Sequence, residues 1–225
     1  LLLQNFLLLM TVLGLRVRLL PLMVVDQNFL KVKKFFISIF LLLISINISL
    51  AENLNIKKIV NLNNPWGSTF INNKELLITE KSGKIKLLNL NTKEISEVAH
   101  NLNYLEDGQG GLLDILYKDD FIYISYSENR GDGKTSTSIA KAKSNKSDLI
   151  FKNIFQANPP IDSGYHFGSR LAIQDNHLFA SAGERGKGMI AQDPTKHPGS
   201  IIRINLDGSI PKDNPKFEGK SDWLP

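Results

Sequence analysis

From residue 53 onward the chain is written in short runs of β-branched, aliphatic and aromatic residues, cut at intervals by turn residues. That punctuation excludes most architectures. Residues 56–62, 75–80, 84–90, 111–117, 121–127, 135–143, 167–173, 177–182 and 200–206 each read as a strand. Asn72-Asn73, Ser82-Gly83 and Asp207-Gly208 supply turns. No segment sustains a helical period. Strands spaced at about 8–12 residues predict an all-β sandwich, barrel or propeller. The phrase at residues 76–85 shares its rhythm with residues 178–184: an apolar strand, then an acidic residue near a glycine. An irregular repeat of hairpins favours a propeller. No low-complexity linker divides residues 52–225, which read as one domain.

Composition narrows the function. The 225 residues contain no cysteine, which excludes disulfides, a thiol nucleophile and thiolate metal sites. The formal charge of +5 is concentrated at the start of the chain. Arg16, Arg18, Lys31, Lys33 and Lys34 precede residue 52 with only Asp26 against them, leaving 22 basic and 21 acidic side chains beyond. Such a balanced body offers no footprint for nucleic acid. Residues 31–51 read as a secretory signal: three lysines, an apolar run at 35–46, and Ser49-Leu50-Ala51 for a peptidase. A membrane anchor is the competing reading, disfavoured by that small-residue cleavage site. Cleavage there predicts a periplasmic or secreted protein with no membrane association. Residues 1–30 form a further apolar leader opening on Leu1. Met23 is a natural start, and residues 1–22 read as an overextended reading frame.

Two glycine-rich segments imitate nucleotide motifs. Gly131-Asp132-Gly133-Lys134-Thr135 ends like a phosphate loop, but the glycine required five positions before Gly133 is replaced by Glu128. A hairpin loop is expected. Gly186-Lys187-Gly188-Met189-Ile190-Ala191 fits a dinucleotide fingerprint, yet Pro194 and Pro198 forbid the long helix that motif needs. His100, His177 and His197 stand apart from one another and from acidic pairs, and read as surface residues with no metal site among them. His166 differs. Gly164 and Gly168 flank it, and Glu184 follows one strand and turn later, where a neighbouring strand could set a carboxylate beside the ring. A carboxylate accepting from Nδ1–H leaves Nε2 as a base. Gln109, ringed by Gly108, Gly110 and Gly111, suits hydrogen bonding to a planar polar ligand.

Together these segments resemble the quinoprotein soluble glucose/sorbosone dehydrogenases, also called aldose sugar dehydrogenases. The carrying residues are Asn64-Pro65-Trp66, Gly108-Gln109-Gly110-Gly111-Leu112-Leu113-Asp114 and Tyr123-Ile124-Ser125-Tyr126-Ser127. Gly164-Tyr165-His166-Phe167-Gly168-Ser169-Arg170-Leu171 and Gly183-Glu184 follow. The run at residues 202–215 is the most specific. The resemblance implies a six-bladed β-propeller, of which this chain supplies the first three to four blades. It implies PQQ-dependent oxidation of the C1 hydroxyl of aldoses to lactones, with electrons passed to an external acceptor. His166 looks like the catalytic base, Glu184 like the acid oriented toward it, and Gln109 like a cofactor contact. Calcium and its ligands are expected beyond Pro225, as is an arginine-asparagine pair over the quinone, so the chain alone is expected to be inactive. Tyr165 stands where relatives carry a small polar or acidic residue. The alternatives are a non-catalytic secreted propeller binding carbohydrate or protein, and a metal-dependent lactonase, whose ligand cluster the sequence does not supply.

Overall fold

A computed structural model describes residues 55–220 and Leu224, those from Lys57 onward belonging to a unit that runs to Pro225. The leader and signal expected at residues 1–30 and 31–51 lie outside the described residues. Twelve strands form three antiparallel sheets in chain order. The first holds β1 (Pro65–Asn72), β2 (Glu75–Glu80), β3 (Lys84–Asn89) and β4 (Ile95–His100). The second holds β5 (Leu112–Lys118), β6 (Phe121–Asn129), β7 (Thr135–Lys143) and β9 (Lys152–Gln156). The third holds β10 (Gly168–Gln174), β11 (His177–Ala182) and β12 (Ser200–Asn205). The two-residue β8 (Asp148–Leu149) leaves the second sheet and runs parallel to β4, closing the outer edge of the first.

Each sheet is a meander, and the first strands β1, β5 and β10 approach one another from sheet to sheet. That convergence is the geometry of consecutive propeller blades. Two apolar cores separate the three sheets. Leu77, Ile85, Leu87 and Val98 pack with Leu112, Ile115, Ile122, Ile124 and Tyr126 between the first and second. Tyr123 and Ile139 pack with Leu171, Leu178, Ala180, Ile202 and Ile204 between the second and third. Strand β6 feeds both cores because alternate residues leave a strand on opposite faces. Burial on both faces is why residues 121–124 are apolar without a break rather than alternating.

The interfaces also carry a polar repeat. Each first strand is bulged near its start, at Trp66-Gly67, Leu113-Asp114 and Ser169-Arg170. Opposite each bulge on the second strand stands a hydroxyl: Thr79, Ser125 or Ser181. Its oxygen accepts the N–H of the second bulge residue, from Gly67 at 3.0 Å, Asp114 at 3.0 Å and Arg170 at 3.2 Å. Thr79 Oγ1 then donates to the carbonyl of Leu113 at 2.5 Å, and Ser125 Oγ to that of Ser169 at 2.6 Å. Each acceptor is the first bulge residue of the following sheet. The Asp114 carboxylate adds a second link, accepting from Leu171 N–H at 2.8 Å and Arg170 Nη1 at 3.0 Å.

Most expected strands are present. Residues 56–62 are not one of them: no strand forms there, and Ile56 is 85 % exposed. The first sheet instead opens with β1, whose proline, glycine and asparagine hide its character, proline being tolerated only at the first position of such a strand. Strands β4, β8 and β9 also went unmarked in the sequence. Strands β8 and β9 are edge strands, β4 is covered on its outer side only by the two residues of β8, and all three bury too few side chains to leave an apolar run. Gly131 to Gly133 form the expected hairpin loop between β6 and β7. The glycine-rich stretch after β11 holds only a five-residue 3₁₀ turn, Gly188–Gln192, with no buried residue.

Candidate active site

The loop before β10, residues 162–167, and the turn after β11, residues 183–187, meet at one end of the third sheet. His166 adopts φ 49°, the left-handed region, at a cost of about 1–2 kcal/mol for a residue with a Cβ. Two neighbours hold it there. Its N–H donates to Gln109 Oε1 at 2.8 Å, and Gln109 N–H donates to the Gly164 carbonyl at 2.7 Å. From the other side, Gly183 packs its Cα against the His166 carbonyl, where any Cβ would lie 1.9 Å from that oxygen. The flanking glycines therefore serve backbone contacts within the protein. A Cβ on Gly108 would lie 2.4 Å from the Gly164 carbonyl, so these two loops interlock.

The consequence is a pairing of side chains 18 residues apart: His166 Nδ1 contacts Glu184 Oε1 directly. An ionised carboxylate only accepts, so Nδ1 carries the proton and Nε2 keeps its lone pair. The bond from His166 is the main cause holding the Glu184 carboxyl below its ordinary value. Gly186 N–H also donates to the same oxygen, at 3.1 Å. The imidazole is about half exposed. The Tyr165 ring, 61 % exposed, stands 6.3 Å from the imidazole at an interplanar angle of 65°.

All three residues singled out in the sequence thus converge. His166 and Glu184 pair as expected. Gln109 turns its Oε1 to the His166 backbone and leaves its amide NH₂ without a protein partner among the described residues. The remaining histidines are half-buried structural groups rather than surface ones. His100 Nε2 bonds the Gly83 carbonyl at 2.7 Å, and His177 lies against Arg203. His197 packs edge-on to Phe155, and burial pushes its imidazole down. A separate groove of about 440 Å³ between β9 and β12 is lined by Asn153, Phe155, His197, Arg203 and Ile204, and reaches none of the three site residues. Among the described residues no group of three or more His, Asp or Glu side chains is placed to hold a metal.

Sequence reasoning missed Arg185. Its side chain is buried behind the loop, bonded to the carbonyls of Ser163, Tyr165 and Thr135. A charged residue directly after Glu184 reads as exposed in a sequence, and only burial reveals it.

Comparison with known proteins decides the family. Residues 62–223 match the glucose/sorbosone dehydrogenase family model. The chain belongs to that family. It is 33 % identical over 165 residues to the aldose sugar dehydrogenase YliI of Escherichia coli, covering 68 % of this chain and 44 % of that protein. It is 30 % identical over 205 residues to quinoprotein glucose dehydrogenase B of Acinetobacter calcoaceticus, covering 75 % and 43 %. A glucose dehydrogenase crystal structure superposes with a TM-score of 0.71 at 29 % identity, covering 76 % of this chain and 53 % of that one. The apo soluble aldose sugar dehydrogenase of E. coli superposes at 0.67 with 31 % identity, covering 72 % and 50 %. This glucose/sorbosone dehydrogenase chain therefore spans somewhat under half the length of these two curated relatives. Its three sheets are consecutive blades of a partial β-propeller.

Proposed function

We propose that the site serves the oxidation of the C1 hydroxyl of aldose sugars to lactones, within a complete propeller of which these blades form the first part. The observation that carries the reading is the His166–Glu184 pair, with Nδ1 engaged and Nε2 without a protein partner among the described residues. Removing hydrogen from an alcohol carbon means removing one proton from oxygen and two electrons with the carbon-bound hydrogen. His166 Nε2 takes the hydroxyl proton. Glu184 keeps the ring in the tautomer that can accept it and stabilises the imidazolium that results. Gln109 fixes the His166 backbone and offers its amide NH₂ to a ligand rich in carbonyl and carboxylate oxygens, which is the chemistry of PQQ. That group, when bound, supplies the two-electron acceptor. Tyr165, beside the imidazole, offers an apolar ring face to the sugar.

The described residues hold no calcium cluster, and no step here depends on one. Electrons pass to an external acceptor, and the sequence of residues 31–51, which reads as a secretory signal, supports a periplasmic or secreted setting. The test is dye reduction by the full-length gene product supplied with PQQ and calcium, across a panel of aldoses. Activity with aldoses is expected. His166→Gln should lower turnover by several powers of ten while PQQ binding persists, since a positioned base supplies about 10²–10⁴-fold on its own. Near-normal turnover in that variant would remove His166 from the role.

A further inference from the structure

Arg185 is 2 % exposed, and among the described residues no carboxylate lies within ion-pairing distance of it. Its donors go to neutral oxygens around His166. Nε donates to the Tyr165 carbonyl at 2.9 Å, Nη1 to the Thr135 carbonyl at 3.0 Å and Nη2 to Thr135 Oγ1 at 2.6 Å. Nη2 also bonds the Ser163 carbonyl. The guanidinium lies over the Phe167 ring at 3.6 Å, and the Arg185 N–H donates to the His166 carbonyl at 3.3 Å. Residues 163, 165, 166 and 167 are therefore all held by one side chain or its own amide. The anchor behind them, Thr135, begins β7 of the preceding sheet.

Burial pushes the guanidinium down to about 10, with Asp107 acting in the opposite sense, so the side chain is still a cation at neutral pH. A buried cation held by carbonyls is costly unless its geometry is well matched. Its retention beside the base calls for a reason.

We propose that Arg185 is the positioning residue of the His166–Glu184 pair, clamping the left-handed turn at His166 to the second sheet so that Nδ1 stays on the carboxylate. The assignment rests on the proposed function only in taking His166 as the base. Lysine cannot substitute. A planar fork with five donors spans Thr135 and Tyr165 together, whereas an ammonium places its three donors at a point.

The test reads the imidazole itself and needs neither cofactor nor sugar. Long-range ¹H–¹⁵N correlation of the ¹⁵N-labelled full chain distinguishes Nδ1–H from Nε2–H. The wild-type protein is expected to show Nδ1–H at His166. Arg185→Lys and Arg185→Met should lose that signal. Thr135→Val, which deletes one acceptor and nearly conserves volume, should weaken it in a protein with an unchanged circular dichroism spectrum. A purely structural role would lower the melting temperature and leave the tautomer of the folded protein alone. Should the Arg185 variants fail to fold, Thr135→Val decides. Undiminished Nδ1–H in a folded Arg185→Lys or Thr135→Val protein would overturn the proposal. An intact tautomer signature in a gene product that oxidises no sugar would instead count against the proposed function alone.

Discussion

Replacing Ser125 by alanine tests the polar repeat between the sheets. Ser125 is fully buried, its Oγ accepting from Asp114 N–H at 3.0 Å and donating to the Ser169 carbonyl at 2.6 Å. Alanine conserves the volume nearly enough that no large cavity results, so the cost is the two orphaned backbone groups. Leaving a buried donor or acceptor unsatisfied costs about 1–3 kcal/mol each, which gives about 2–6 kcal/mol for the pair. In a unit of this size that corresponds to a fall in melting temperature of roughly 4–24 °C. The internal control is Ser181→Ala at the matching position of the third sheet. There the hydroxyl accepts from Arg170 N–H at 3.2 Å and has no carbonyl partner among the described residues, so about 1 kcal/mol is expected. Urea denaturation followed by circular dichroism supplies both numbers, with an unchanged m-value required for the comparison. If Ser125→Ala costs no more than Ser181→Ala, the bond to Ser169 is not holding the sheets together, and the reasoning fails.

Two further outcomes follow from the site. The Glu184 carboxyl lies below its ordinary value because His166 bonds its charged form, so this contact contributes above the unfolded carboxylate range and is lost as pH falls through the lowered folded value. Titration of the Glu184 carboxyl by ¹³C NMR should give a value below 4.5 in the wild-type protein and return to the ordinary range in His166→Ala. Ser169 sits at φ 88° with a buried Oγ that has no hydrogen-bond partner among the described residues. Ser169→Gly should therefore raise stability by about 1 kcal/mol, relief of about 1–3 kcal/mol of backbone strain outweighing the greater freedom of glycine in the unfolded chain. Thermal melting checks it, and a lower melting temperature would show that Ser169 is not strained.

Much of the architecture was legible because strand periodicity and turn chemistry are local. The mix of β-branched and aromatic residues at 121–126 is that of a well-buried strand, and β6 is buried on both faces. The shared rhythm of residues 76–85 and 178–184 has a structural meaning: both phrases are the second strand of their sheet, with Thr79 and Ser181 in equivalent places opposite a bulge. What stayed hidden was whatever depends on a partner distant in the chain. The sequence offered residues 56–62 as a strand on composition alone. No neighbouring strand pairs with them, while the unpromising Pro65–Asn72 lies against β2.

At the site the division is the same. Residue types and their glycine surroundings marked His166 with Glu184, and separately Gln109, while the family resemblance joined the three as one site. Chain order alone determined that the protein would be β-structured, cysteine-free, near-neutral beyond its leader, and equipped with one such pair. Tertiary structure decided that Gln109 spends its carbonyl on a backbone amide, that the glycines serve the close approach of loops, and that Arg185 is buried. Those outcomes turn on contacts between loops that meet only when the second and third sheets pack. A sequence records which groups can bond, and packing selects the partner each one finds.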